Sequence, residues 1–138
     1  MKTETIELRH TLAWLLLLAA AVFASMPGNR HSDVRQVDVH EAKALIDAGA
    51  LVIDVRERAV AANAHLPGAL LMPLEALAAN LARIEAAQAG AIVVYCGDGS
   101  TRGPEAAHLL TQAGFIQTVN LRPGLEGWRR AGLPTSRS

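Results

Sequence analysis

Between Ala91 and Tyr95 the chain reads Ala-Ile-Val-Val-Tyr, and it runs straight into Cys96-Gly97-Asp98-Gly99-Ser100-Thr101-Arg102-Gly103-Pro104. β-Branched side chains pack well on a pleated surface, and a short run with no charged member belongs to a strand covered on both faces. Leu51-Val52-Ile53-Asp54-Val55 reads in the same way. Strands of this kind need helices above and below them, and the intervening sequence supplies these. Asp38-x-x-Glu41 predicts a capping box opening a helix with Ala42, Leu45 and Ile46 on one face, closed by Gly49 as a left-handed cap. Ala69-Leu70-Leu71-Met72 is a weaker strand, and after Pro73 the residues Leu74, Leu77, Leu81 and Ile84 recur at helical spacing as far as Gly90. Pro104 suits the first turn of a further helix, with Ala106, Leu109, Leu110 and Ala113 as its buried stripe and Gly114 as its stop. Thr118-Val119-Asn120-Leu121 is the last strand, and Leu125 to Arg130 form a terminal helix. Strands separated by helices require crossover connections. The expected fold class is therefore α/β: a small parallel sheet with helices on both faces.

In such sheets ligands meet the carboxyl ends of the strands, which directs attention to the segment after Tyr95. The only cysteine stands there, where a buried strand ends and a helix is about to begin. Glycines and small polar residues let the backbone curl with its N–H groups inward, as an anion nest. The helix beginning near Pro104 aims the positive end of its dipole at the same place. Arg102 adds a permanent charge whose planar fork suits an oxyanion. Each feature favours thiolate, the nucleophilic form of cysteine. The candidate catalytic residues are Cys96 and Arg102, and Gly97, Asp98, Gly99, Ser100 and Thr101 are the candidate substrate-binding residues. The Asp98 carboxylate is expected to turn away from the cradle, capping loop amides or facing water, because inside it would oppose a thiolate and repel an anion. A lone cysteine is more often a small buried hydrophobe, but its place at a strand-to-helix loop favours a reactive role here.

Composition narrows the function classes. Lys plus Arg and Asp plus Glu number 13 each in 138 residues, so there is no electrostatic footprint for nucleic acid. One cysteine and five scattered histidines exclude an internal disulfide and give no metal-ligand spacing, and no cofactor is called for. The uncharged run Leu12 to Ala24 follows Lys2, Arg9 and His10, and Val22-Phe23-Ala24 offers small residues to a signal peptidase. Residues 1–24 are expected to be a removable signal peptide or a membrane anchor, giving an exported, periplasmic or membrane-anchored protein facing outside the cytoplasm. Residues 25–36 are expected to be a linker and 37–134 a single domain.

Four pieces, in order, resemble the rhodanese-like domain family. Val52-Ile53-Asp54-Val55-Arg56-Glu57 resembles its early strand with an Asp-x-Arg motif, and His65-Leu66-Pro67-Gly68-Ala69 its His-x-Pro-Gly-Ala turn. Val93-Val94-Tyr95-Cys96 resembles its active strand, and the segment from Asn120 to Trp128 its closing strand and Gly–Trp segment. The resemblance implies a sulfurtransferase. Cys96 would take the outer sulfur of a thiosulfate-like anion, hold it as a persulfide, and pass it to a thiol or cyanide acceptor in a two-step shuttle without cofactor. One departure leads elsewhere. Five residues separate Cys96 from Arg102 where the usual sulfurtransferase loop has four, and Cys-x5-Arg followed by Gly-Pro resembles the loop of cysteine phosphatases and arsenate reductases on this fold. Tyr95 in place of their histidine, and Asp98 in the ring, oppose that alternative. A non-catalytic persulfide carrier is the third. Elsewhere, His65 is expected to bond backbone at its turn, Asp54 and Arg56 to form a buried ion pair, and Trp128 to anchor the core.

Overall fold

The computed structural model describes residues 34–138, so the expected signal or anchor segment 1–24, and the linker as far as residue 33, lie outside the described residues. Five strands, β1 (Gln36–Val37), β2 (Leu51–Asp54), β3 (Leu70–Leu71), β4 (Ile92–Tyr95) and β5 (Thr118–Leu121), form one sheet in the order β1-β5-β4-β2-β3. Every pairing is parallel, with Val93 of β4 opposite Val52 of β2 on one side and Val119 of β5 on the other. Five helices connect them: α1 (Val39–Asp47), α2 (Arg58–Asn63), α3 (Leu81–Ala87), α4 (Arg102–Gln112) and α5 (Gly124–Arg130). Among the described residues no helix is long and apolar enough to cross a membrane.

Alternation along the strands sorts the core into two layers. Ile53, Ile92, Val94 and Cys96 join Ile84 of α3 and Ala106, Ala107 and Leu110 of α4 on one face. Val52, Val93, Tyr95 and Val119 join Val39 and Ala42 of α1 and Leu125 and Trp128 of α5 on the other. Helices thus cover both faces of a parallel sheet, as the alternating pattern predicts. The local signals behave physically. Asp38 accepts a 2.8 Å hydrogen bond from the Glu41 amide at the start of α1, and Gly49 and Gly114 take positive φ after α1 and α4. Trp128 is buried and donates its indole N–H to the Pro134 carbonyl at 2.8 Å. His65 donates from Nδ1 to the Ala61 carbonyl at 2.9 Å.

Two local expectations are corrected. Leu74 to Ile84 do not form one helix, because two 3-10 turns (Leu74–Ala76 and Ala78–Asn80) precede α3, which ends at Ala87 ahead of Gly90. Asn80 donates its side-chain amide to the Ala76 carbonyl at 2.7 Å, a local bond that competes with a continuous helical ladder. Helix α4 begins at Arg102 and so holds Pro104 in its first turn as expected, where a missing amide forfeits no intrahelical bond. Its buried stripe runs through Gly103, Ala106, Ala107 and Leu110, whereas Leu109 is 41% exposed and Ala113, just past the helix, is exposed too. Two short elements had no sequence expectation, α2 and the edge strand β1.

Beneath the sheet's carboxyl edge lies a buried polar cluster. Asp54 is fully buried and receives Arg56 Nη2 at 2.7 Å and Arg56 Nε at 3.0 Å, while the same guanidinium donates to the Ala64 carbonyl at 2.6 Å. The guanidinium carbon stands 5.9 Å from the centre of the Tyr95 ring, and the Tyr95 hydroxyl accepts the Leu66 amide at 2.9 Å. Removing one member of a buried pair strands the other, so Arg56→Leu should cost about 3–5 kcal/mol in urea unfolding. The double variant Asp54→Asn with Arg56→Leu should cost less than the two single changes together. Burial, and then the Asp54 carboxylate, push the Tyr95 phenol well above its ordinary value of 10.0. Because the folded phenol titrates above the unfolded one, the stability it contributes is intact below about pH 10 and is lost as pH rises further. Tyr95 is the only tyrosine. Ultraviolet titration should therefore show phenolate only as the chain unfolds, and a reversible transition of the native protein near pH 10 would contradict this burial.

Candidate active site

Alternation along β4 turns Tyr95 toward one layer and Cys96 toward the other, beneath α4. The cysteine is 2% exposed. The carbonyls of this loop are bonded outward. Cys96 O accepts the Leu125 amide at 3.0 Å, Gly97 O the Glu126 amide at 2.9 Å, and Gly99 O the Asn120 side-chain amide at 2.9 Å. By contrast, the N–H groups of Gly97, Gly99 and Thr101 find no acceptor among the described residues. This is the donor arrangement of an anion nest.

Two glycines of the loop and the first turn of α4 are required by contact. Gly99 has φ +76, and a Cβ there would stand 2.6 Å from the Leu121 carbonyl oxygen. A Cβ on Gly103 would overlap Asn120 Oδ1 and stand 3.5 Å from Cys96 Sγ, so the first turn of α4 passes against the sulfur only as glycine. Asn120 is fully buried. Its Nδ2 bridges Gly99 O and Gln36 Oε1, and its Oδ1 has no hydrogen-bond partner among the described residues.

The charged groups are placed differently from the sequence expectation. Asp98 does cap its loop, accepting the Ser100 amide at 3.0 Å and the Ser100 hydroxyl at 2.6 Å. Its Oδ1 is also 3.8 Å from Cys96 Sγ, in position to accept a thiol proton, so the carboxylate does not turn away from the sulfur. The bonds from Ser100 hold Asp98 below the usual carboxylate range, which makes it an anion at neutral pH. Thr101 is an exposed residue preceding α4 and makes no side-chain capping bond. Arg102 opens α4, and its Nη1 pairs with Glu75 at 2.9 Å and 3.2 Å from the two carboxylate oxygens. No hydrogen bond or ion pair joins Arg102 to Cys96 among the described residues.

The loop therefore brings Cys96, Gly97, Asp98, Gly99 and Ser100 together and leaves the guanidinium at the rim. Sequence reasoning missed Glu75, which lies 27 residues from its partner and carries no local signal. It also passed over Asn120 as a site residue, although one polar side chain inside the strand Thr118-Val119-Asn120-Leu121 was a visible anomaly.

Comparison with known proteins identifies the family. The profile of the rhodanese-like domain matches residues 38–131. A protein of Escherichia coli K12 called YibN, described as uncharacterized, is 33% identical over 129 residues, covering 92% of this chain and 89% of that one. The thiosulfate sulfurtransferase GlpE of Pseudomonas fluorescens Pf0-1 is 33% identical over 99 residues, covering 71% of this chain and 87% of its own. Among solved structures, a rhodanese-related protein of Thermoplasma volcanium shares the fold with a TM-score of 0.66 at 23% identity, covering 75% of this chain and 99% of its own. With the profile covering residues 38–131, the chain belongs to the rhodanese-like domain family.

Proposed function

We propose that this domain is a sulfurtransferase in which Cys96 accepts a sulfane sulfur, carries it as a persulfide and delivers it to a thiol or cyanide. The observation that carries this reading is the set of outward-bonded carbonyls and unengaged amides around one strand-end cysteine. When Sγ attacks the outer sulfur of a donor, that sulfur is transferred and its former partner leaves with the bonding electrons. The negative charge of the resulting Cys–S–S⁻ group falls within the amide nest, where fixed donors stabilise it without reorganising. An acceptor thiolate or cyanide then attacks the outer sulfur, and Cys96 is regenerated. The sequence GlpE bears, by its name, on thiosulfate, which supports sulfur transfer as the chemistry of the fold. The longer loop had favoured an oxyanion enzyme, but Asp98 at 3.8 Å from the nucleophile opposes a phosphate or arsenate dianion in the ring.

Reduced protein offered thiosulfate, or the persulfide of glutathione, should gain the mass of one sulfur atom on Cys96. Cyanide should then release thiocyanate and restore the thiol. Cys96→Ser should abolish both signals, and absence of the added mass with either donor in folded wild-type protein would refute the reading. Gly103→Ala should keep the fold by circular dichroism while slowing sulfur loading by about a hundredfold, since it displaces Asn120 or Sγ on the ångström scale.

The apolar run from Leu12 to Ala24 supports an exported or membrane-anchored setting for this chemistry. A mature mass corresponding to residues 25–138 would mark cleavage after Ala24, and full-length chain in the membrane fraction would mark an anchor. Full-length chain in the cytosolic fraction would refute both.

A further inference from the structure

We infer that the sulfur donor suited to this site is a hydropersulfide, R–S–SH, in preference to the thiosulfate dianion, and that Asp98 and Glu75 set the preference. The inference rests on the sulfur-transfer reading above and names its donor class. Three placements carry it. First, the Asp98 carboxylate, anchored by two bonds from Ser100, stands 3.8 Å from the sulfur that must attack. Second, the one cation of the loop is already matched, because Arg102 shares both oxygens of Glu75 at 2.9 Å and 3.2 Å. Third, a Cβ on Gly103 would meet both Cys96 Sγ and Asn120 Oδ1, and that buried oxygen has no donor among the described residues. Negative charge thus borders the nucleophile, the neighbouring cation is matched by Glu75, and what is left for an anion is the set of backbone amides.

That balance suits one negative charge and disfavours two. Thiosulfate arrives as a dianion and its sulfite leaving group departs as one. A like-charge unit pair at this range alters a rate or equilibrium by roughly fivefold even in water, and a dianion by more than tenfold. A hydropersulfide brings at most one charge at its reacting end, and in the neutral form its outer S–H can donate to Asp98. The transfer is balanced: Cys96–SH plus R–S–SH gives Cys96–S–SH plus R–SH. Sγ bonds to the outer sulfur as the R–S bond to that sulfur breaks, and R–S⁻ leaves with the electron pair. The proton released by Cys96 crosses by way of the Asp98 carboxylate to R–S⁻, so no oxidant or reductant is consumed.

The test compares rates of sulfur loading on Cys96 from thiosulfate, from glutathione persulfide and from a persulfidated cysteine peptide. The last two distinguish a small carrier from a larger one. Wild-type protein should load from at least one persulfide about tenfold faster than from thiosulfate. Asp98→Asn keeps an oxygen for the Ser100 amide and removes the charge, and Glu75→Gln loosens Arg102 without touching the loop. Both should raise thiosulfate loading, Asp98→Asn on the order of tenfold, without raising persulfide loading. Added potassium chloride should speed thiosulfate loading of the wild type and have less effect on Asp98→Asn, a screening response that a purely structural role for Asp98 would not produce. Equal wild-type rates from thiosulfate and both persulfides, or variants that slow all donors alike, would overturn this inference while leaving sulfur transfer standing. No loading from any donor would overturn both.

Discussion

A loop can present its N–H groups inward only if its carbonyls have somewhere else to go. Here Cys96 O and Gly97 O are taken by the first amides of α5, and Gly99 O by the side chain of Asn120. Each of these partners comes from the β5–α5 segment, so the neighbouring strand and its following helix hold the loop open from outside. Gly124 makes the close approach feasible: its φ of +67 turns the chain, and a Cβ there would stand 2.5 Å from Cys96 O. A carbonyl left unbonded in this setting could rotate toward the sulfur, and the nest would lose the polarity that stabilises a persulfide anion. The site is therefore a property of two adjacent parallel strands ending side by side, which is why it sits where the sheet's topology places it.

The polar cluster on the opposite face of β4 serves the same strand end. Tyr95 immediately precedes Cys96, and its hydroxyl is fixed by the Leu66 amide while Arg56 lies over its ring. The strand end that carries Cys96 is thus held one residue earlier by a side chain packed beside the buried Asp54–Arg56 pair. A substitution in this cluster would reach the sulfur through the backbone of β4, without any contact of its own to the loop.

Much of this architecture was legible because it rests on short-range patterns. The apolar runs of β2 and β4, the Asp38 cap, and the glycines after α1 and α4 each report on a few neighbouring residues. The place of the reactive loop followed from strand order and the position of one cysteine. What escaped reading is long-range or very short. Strand β1 has two residues and exists through its pairing with β5, and α2 is a six-residue helix without a side-chain cap. Helical spacing from Leu74 to Ile84 concealed two 3-10 turns because the apolar side chains still face the core, where Leu77 and Ile84 are fully buried. The partner of Arg102 depends on a fold that brings residue 75 to the rim. The direction of Asp98 depends on a turn whose two bonds to Ser100 outweigh the electrostatic preference to point elsewhere.

Asn120 shows why a polar side chain survives inside a fully buried strand. An unpartnered buried carbonyl oxygen costs on the order of 1–3 kcal/mol, and an apolar residue of similar size would avoid that cost. It would also strand the Gly99 carbonyl, which now shares the Asn120 amide with the Gln36 side chain, at 2.9 Å and 2.6 Å respectively. Two satisfied donors against one orphaned acceptor leave the carboxamide the better choice for the folded state. Its orientation follows as well, because the Gly99 carbonyl can only accept, so Nδ2 must face the loop and Oδ1 must face Gly103. The orphaned oxygen at Gly103 is therefore a consequence of how the loop is held, and this part of the site's polarity follows from the means of its support.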